Sequence, residues 1–162
     1  MAKVRMATSI RISAARLELP RGPRMVPMNA KRIVVADDLL PVLKAISEIL
    51  QPCFDLVGTA SDGEAALETT LNLQPDLVIL DISMPVMSGI EVAEELTRRG
   101  SSAKIVFLTA HQDVDILKAC QAAGGLGYVV KLSMATDLIP AINAALAGRR
   151  FVSRFSSRQE LP

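Results

Sequence analysis

Five side chains able to bind a metal ion or do chemistry stand just past short apolar runs. Asp37 and Asp38 follow Ile33-Val34-Val35-Ala36, and Asp81 follows Leu77-Val78-Ile79-Leu80. Thr109 follows Ile105-Val106-Phe107-Leu108, and Lys131 follows Tyr128-Val129-Val130. Taken singly, each has a structural explanation, since an Asp after a strand is commonly a turn or capping residue. Taken together, three acids, a hydroxyl and one amine call for a common site. Carboxylates gathered at one place repel, by about 4 kcal/mol per pair at ~4 Å and an effective dielectric of ~20. A hard divalent cation with oxygen ligands offsets that repulsion, and Mg²⁺ typically takes one or two carboxylates and keeps several waters. Lys131 adds a second positive charge. A carboxylate oxygen beside a metal and an ammonium is equipped to accept a phosphoryl group, a transfer that needs positioning and charge neutralisation above all.

The elements that must gather these residues are legible in the spacing. Apolar runs near 33–36, 55–59, 77–80, 105–108 and 128–130 alternate with five helical patterns. Four consecutive apolar residues at Leu77–Leu80 mean burial on both faces, as in a parallel sheet. Val42, Leu43, Ile46, Ile49 and Leu50 share one helical face, with Pro41 in the first turn. Ser61 with Glu64 and Ser88 with Glu91 are read as capping boxes. Gly100, Gly124-Gly125 and Gly148 follow helical patterns, and Pro140 lies within the last one. There Pro140 implies a kink or a helix that starts near Asp137. Strict alternation of this kind gives βαβ units and a doubly wound α/β fold, a five-stranded parallel sheet with helices on both faces. In that architecture ligands bind at the carboxyl ends of the strands, where the five residues lie.

Composition sets the limits. Of 162 residues 50% are hydrophobic and 22% charged, with a net charge of +1. That supports one ordinary core and gives no global bias toward nucleic acid. Residues 1–30 hold six basic residues against Glu18 alone, a net +5, whereas residues 31–162 carry twelve basic against sixteen acidic, a net −4. The chain is accordingly divided into a basic extension without regular structure at 1–30, a folded domain at 31–152 and a short tail at 153–162. Cys53 and Cys120 form neither a disulfide framework nor a metal motif by spacing. No apolar run approaches a membrane span, and the N-terminus has no continuous apolar stretch of signal-peptide type. The expectation is a cytoplasmic protein with no membrane association.

The motifs resemble those of response-regulator receiver domains, the phosphoacceptor modules of two-component signalling. The resemblance covers about residues 31–152. It rests on Ile33–Asp38, on Leu77–Pro85 with Gly89, on Ile105–Ala110 and on Gly127–Lys131. The segment Ala144–Val152 further resembles receivers that precede a LuxR-type helix-turn-helix. The resemblance implies a flavodoxin-like (βα)5 fold and a phosphorylation-controlled switch in a phosphorelay. It makes Asp81 the phosphoacceptor, fed by a sensor histidine kinase or a phosphotransfer protein. Asp38 would bind Mg²⁺ directly, Asp37 mainly through water, with Asp81 and the Ser83 backbone carbonyl completing the protein ligands. Lys131 would contact the phosphoryl group. Thr109 and Tyr128 would form a switch pair, the hydroxyl moving to the phosphate and the ring turning inward. Ser83 and His111 fall at positions that tune dephosphorylation. Such a protein modifies itself and is not an enzyme on an outside substrate.

Departures from the family pattern are Leu132, where Pro often follows the lysine, and Gly125, where Ala is more usual and a looser loop is expected. After Val152 ten residues remain, too few for a helix-turn-helix. Output through a downstream protein partner or a homodimer is therefore expected, without specific DNA binding by this chain alone. The alternative is a receiver fragment of a longer DNA-binding regulator. An aspartyl-phosphate hydrolase of the haloacid-dehalogenase type would want a second Asp where Ser83 stands. A flavodoxin-like cofactor carrier would want a phosphate loop where Asp37-Asp38 stands.

Overall fold

The central strands of the main sheet are apolar on both faces, so their buried residues divide between two cores. The computed structural model describes residues 4–7 and 24–155. In chain order its elements are β1 (Val4–Ala7), β2 (Arg24–Pro27), β3 (Arg32–Ala36), α1 (Leu40–Leu50), β4 (Asp55–Ala60) and α2 (Gly63–Leu73). They continue with β5 (Leu77–Asp81), α3 (Gly89–Arg98), β6 (Lys104–Thr109), α4 (Val114–Ala122) and β7 (Gly127–Val130). A 3₁₀ turn (Lys131–Ser133), α5 (Met134–Leu146) and β8 (Phe151–Val152) complete the series. The sheet order is β4-β3-β5-β6-β7-β8, and all its pairings are parallel.

Strand alternation divides the apolar residues cleanly. Ile33, Val35, Leu77, Ile79, Val106, Leu108 and Val129 face α1 and α5, where Leu43, Ile46, Leu50, Leu138, Ala141, Ile142 and Ala145 meet them. Val34, Ala36, Val78, Leu80, Ile105, Phe107 and Tyr128 face the other way, against Ala66 and Leu67 of α2, Val92, Ala93 and Leu96 of α3, and Cys120 of α4. At about 1.5–3 kcal/mol for each large aliphatic side chain fully buried, these two layers carry the stability of the fold.

The α/β flavodoxin-like architecture is as expected, with two differences in strand count. The sheet has six strands, because Phe151–Val152 pairs with Gly127–Tyr128 at its edge. Two residues are too short to show an alternating pattern, so this strand is invisible in the sequence. The chain then stays on the domain through Phe155, past the boundary expected at Val152. In the N-terminal extension, expected to lack regular structure, Val4–Ala7 pairs antiparallel with Arg24–Pro27. The rest of that extension, residues 1–3 and 8–23, lies outside the described residues.

Helix ends follow local chemistry. Ser88 and Glu91 form the expected capping box, with Ser88 N donating to Glu91 Oε2 at 2.7 Å and Glu91 N to Ser88 Oγ at 3.2 Å. For α2 the cap is Asp62 instead of Ser61, its Oδ1 accepting from Ala65 N at 2.8 Å. A carboxylate one residue later reaches the orphan donor better and adds a favourable charge at the helix N-terminus. Helix α5 begins at Met134 and runs through Pro140. Pro140 is on the exposed side, where water can satisfy the carbonyl that loses its partner. Gly125 does not loosen its loop: a Cβ there would come within 2.5 Å of the Phe107 ring, so the missing side chain is what lets the ring pack.

Candidate functional site

The parallel sheet brings the carboxyl ends of β3, β5, β6 and β7 side by side, and the polar residues read from the sequence stand on them. Asp37 follows β3, Asp81 closes β5, Thr109 closes β6 and Lys131 follows β7. Oxygens of Asp37, Asp38 and Asp81 lie within 4.8 Å of one another. Asp37 is 0% and Asp81 3% exposed, while Asp38 is exposed. Lys131 Nζ bridges the two buried acids, 2.7 Å from Asp37 Oδ2 and 3.3 Å from Asp81 Oδ1. Asp37 Oδ1 also accepts from Leu39 N at 2.9 Å, which turns the chain into α1 and fixes the carboxylate.

Two carboxylates against one ammonium leave the pocket short of positive charge. Burial, and after it the charge of Asp37, pushes Asp81 from 3.8 up to about 6, against the pull of Lys131 and the Ser83 amide. Lys131 feels burial pulling it down, but the hydrogen bond and charge of Asp37, with the charge of Asp81, outweigh this and raise it. Asp81 is therefore ionised at neutral pH yet held with reluctance, an imbalance that a nearby cation would relieve. The donor set is all oxygen, is anionic and has one open, exposed member in Asp38, which fits Mg²⁺.

The backbone beyond Asp81 is built around that residue. Ser83 N donates to Asp81 Oδ1 at 3.3 Å. Gly89 N donates to Ile82 O at 3.0 Å, and a Cβ on Gly89 would sit 2.2 Å from the Asp81 carbonyl oxygen, so no other residue allows this approach. Between them Met87 N donates to Pro85 O at 2.9 Å around Val86, whose φ is 71°. This is a γ-turn of the strained, positive-φ kind, held by a β-branched residue. Strain of that sort collects at functional sites.

Thr109 and Tyr128 are both buried, and they meet at the backbone of His111 and not at the carboxylates. Thr109 Oγ1 donates to His111 O at 3.1 Å and accepts from His111 N at 3.0 Å. Tyr128 Oη donates to the same carbonyl at 3.1 Å. The ring of Tyr128 is 2% exposed, so it already occupies the inward position that the sequence reading reserves for the phosphorylated protein. The His111 side chain is exposed, as is Ser83. Sequence reasoning missed a rim of exposed apolar side chains on the loops and helix starts of this edge: Leu39, Leu40, Val86, Val114 and Leu132, the last 92% exposed. It also missed Phe155, whose ring stands edge-on to Tyr128 with centroids 6.1 Å apart. The signal was that Phe151 and Phe155, two of only four phenylalanines, fall within five residues of an otherwise polar tail.

A doubly wound parallel sheet with an acidic triad, a lysine and a Thr–Tyr pair at its carboxyl edge defines a receiver-type switch domain. The family model for the response regulator receiver domain matches residues 33–143, and the chain belongs to that family. It is 37% identical over 124 residues to the transcriptional regulatory protein YvfU of Bacillus subtilis, covering 75% of this chain and 62% of the relative. Against the nitrate/nitrite response regulator protein NarL of Escherichia coli it is 32% identical over 124 residues, covering 75% and 57%. The chain thus spans about six-tenths of the length of these relatives. Among solved structures, the receiver domain of the response regulator NarL from Mycobacterium tuberculosis aligns with a TM-score of 0.71 at 30% identity, covering 74% of this chain and 98% of that one. The isolated receiver domain of RcsB from Salmonella enterica, solved with the phosphomimetic BeF₃⁻, aligns with a TM-score of 0.71 at 29% identity, covering 78% and 95%. Among the described residues no helix is long and apolar enough to cross a membrane.

Proposed function

We propose that Asp81 is the phosphoacceptor of a two-component phosphorelay and that residues 31–152 form the unit that responds to it. The observation carrying this reading is the buried Asp37–Lys131–Asp81 cluster, with Asp81 raised by burial and by its acidic neighbour. An Asp81 carboxylate oxygen attacks the phosphorus of a phosphohistidine, the P–N bond breaks and the imidazole leaves, taking up a proton. Lys131 neutralises charge on the transferred group, and the Thr109 hydroxyl, released from His111, donates to one of its oxygens. Asp37, Asp38, Asp81 and the Ser83 carbonyl would hold Mg²⁺, which when bound supplies charge neutralisation to the incoming and transferred phosphoryl oxygens. Ser83 and His111, both exposed, are the residues expected to tune hydrolysis of the acyl phosphate. The chain acts on itself and not on an outside substrate.

The exposed rim of Leu39, Leu40, Val86, Val114 and Leu132 offers the phosphodonor, a sensor histidine kinase or phosphotransfer protein, an apolar landing surface around the pocket. Output passes to a downstream protein partner or a second copy, in the cytoplasm and without membrane association. The chain alone is not expected to bind DNA specifically, since its body is net acidic. A second reading, an input module within a longer DNA-binding regulator, is favoured by relatives named transcriptional regulatory proteins that are longer than the matched region.

Labelling tests the assignment. Acetyl phosphate or a phosphohistidine donor should modify the protein only when Mg²⁺ is present, and Asp81→Asn should abolish modification. Undiminished labelling of Asp81→Asn would remove Asp81 from its role.

A further inference from the structure

The tail beyond α5 crosses the sheet edge from one core to the other. Phe151 packs with the α1/α5 layer, and its amide donates to Leu126 O at 2.9 Å. Ser153 is buried to 2% and makes three hydrogen bonds. Its amide donates to Tyr128 O at 2.8 Å, its hydroxyl donates to Asp137 Oδ2 at 2.6 Å, and that hydroxyl accepts from Val130 N at 3.2 Å. Phe155 then lies on the opposite layer, edge-on to the Tyr128 ring. A buried serine with all these bonds made is a costly feature to lose, because each unmet partner would be desolvated without return.

We propose that Phe151–Phe155 is a positioning strap for the switch tyrosine, in which Phe155 keeps the Tyr128 ring inward and the Ser153–Asp137 hydrogen bond keeps Phe155 in place. The polar contacts of the phenol are with the His111 carbonyl, the Thr109 side chain and the Asp113 backbone, whereas the cover on the ring comes from Phe155, which touches none of the pocket carboxylates. That cover therefore does not depend on the charge at Asp81. The consequence falls on the loop between β6 and α4. Thr109 and Tyr128 share one acceptor, so when Thr109 turns to a phosphoryl group Tyr128 alone keeps His111 in place. The strap makes that remaining bond firm. It rests on the reading of Thr109 and Tyr128 as the switch only for this consequence and not for the packing.

Composition supplies a clean probe. Tyr128 is the single tyrosine and the chain has no tryptophan, so the intrinsic fluorescence of the full chain reports this ring alone. In the wild type, acrylamide should quench it weakly. Phe155→Ala should raise quenching severalfold and lower the phenol titration, which burial holds above its ordinary value. Ser153→Ala should do the same to a smaller extent, while Phe155→Leu, keeping an apolar cover, should stay near wild type. Beryllofluoride with Mg²⁺ should reduce quenching in Phe155→Ala, as Thr109 vacates space for the ring, and change the wild type little. Binding is read separately by the fluorine NMR signal of bound beryllofluoride, which Asp81→Asn should lack. Equal quenching of Phe155→Ala and wild type, with unchanged circular dichroism, overturns the strap, as does wild-type quenching as strong as free tyrosine. If Phe155→Ala fails to fold, Ser153→Ala against Phe155→Leu decides by the same readout. Absence of a bound fluorine signal in the wild type overturns the phosphoacceptor reading and leaves the strap to be judged on quenching alone.

Discussion

The interior of the sheet and its carboxyl edge lie on the same strands and obey different rules. In β5, Leu77, Val78, Ile79 and Leu80 are all fully buried among apolar neighbours. The next residue, Asp81, is almost as buried but stands beside the Asp37 carboxylate, with Lys131 the one cation bridging them. One more step along the chain therefore turns burial from a gain into a cost. The interior holds the fold together, and the edge carries an unfavourable charge arrangement that a bound divalent cation would offset. Substitutions should accordingly have opposite signs in the two places.

The largest effect belongs to the interior. Leu138 of α5 is fully buried in the α1/α5 layer, so Leu138→Ala should cost about 2–5 kcal/mol in urea unfolding. The loss should be the same with and without Mg²⁺, because nothing at the edge is touched. A cost below ~1 kcal/mol would break the comparison, since the interior would then not be the source of stability.

At the edge the sign reverses. The unfolded chain releases the Asp81 proton near 3.8 and the folded protein near 6. As pH rises through that window the unfolded state ionises first, so the folded state loses stability. The penalty is absent below 3.8 and complete above about 6. At about 1.4 kcal/mol per unit, removing the charge should gain up to ~3 kcal/mol. Asp81→Asn should therefore be more stable than wild type near neutral pH in metal-free buffer, with the gain fading as pH falls through the window. Mg²⁺ should stabilise the wild type and narrow the difference. An Asp81→Asn protein less stable than wild type at neutral pH would mean that the ion pair with Lys131 outweighs burial, and the contrast would fail.

What was legible in the sequence follows the same division. The interior was readable because burial on both faces writes itself as unbroken apolar runs, and the edge because Asp37, Asp38, Asp81, Thr109 and Lys131 each end such a run. Contacts made by single residues left no pattern. The two-residue strand β8 pairs with residues 24 earlier in the chain, and the Ser153–Asp137 bond joins residues 16 apart, and neither contact is marked by a repeat of its own. Choosing Ser61 over Asp62 as a cap was a question of one residue, decided by backbone geometry that spacing does not encode. Spacing likewise gives no sign of what covers the far side of the Tyr128 ring, where Phe155 sits.

Helix α4 is tied to the interior mainly through Cys120, and it yields the smallest and most discriminating test. Only Cys120 of its residues is buried, and Val114 at its start is half-exposed. Helix α3, by contrast, buries Gly89, Val92, Ala93 and Leu96. Both have a good N-cap: Ser88 for α3, and for α4 Asp113, whose Oδ1 accepts from Asp115 N at 2.7 Å and Ile116 N at 3.2 Å. Replacing either cap by Ala removes about 1 kcal/mol of helix stability. In α3 the packed face ties that loss to the whole fold, so Ser88→Ala should lower global stability by a similar amount. In α4 little packing transmits it, so Asp113→Ala should leave the urea midpoint nearly unchanged. It should instead speed amide exchange within Val114–Ala122 about fivefold, the factor that ~1 kcal/mol of local opening implies. Such a result would mark α4 as a unit free to shift when the hydroxyls on the His111 carbonyl rearrange. Equal shifts of the urea midpoint for the two cap variants would instead join α4 to the interior and leave the edge without a mobile neighbour.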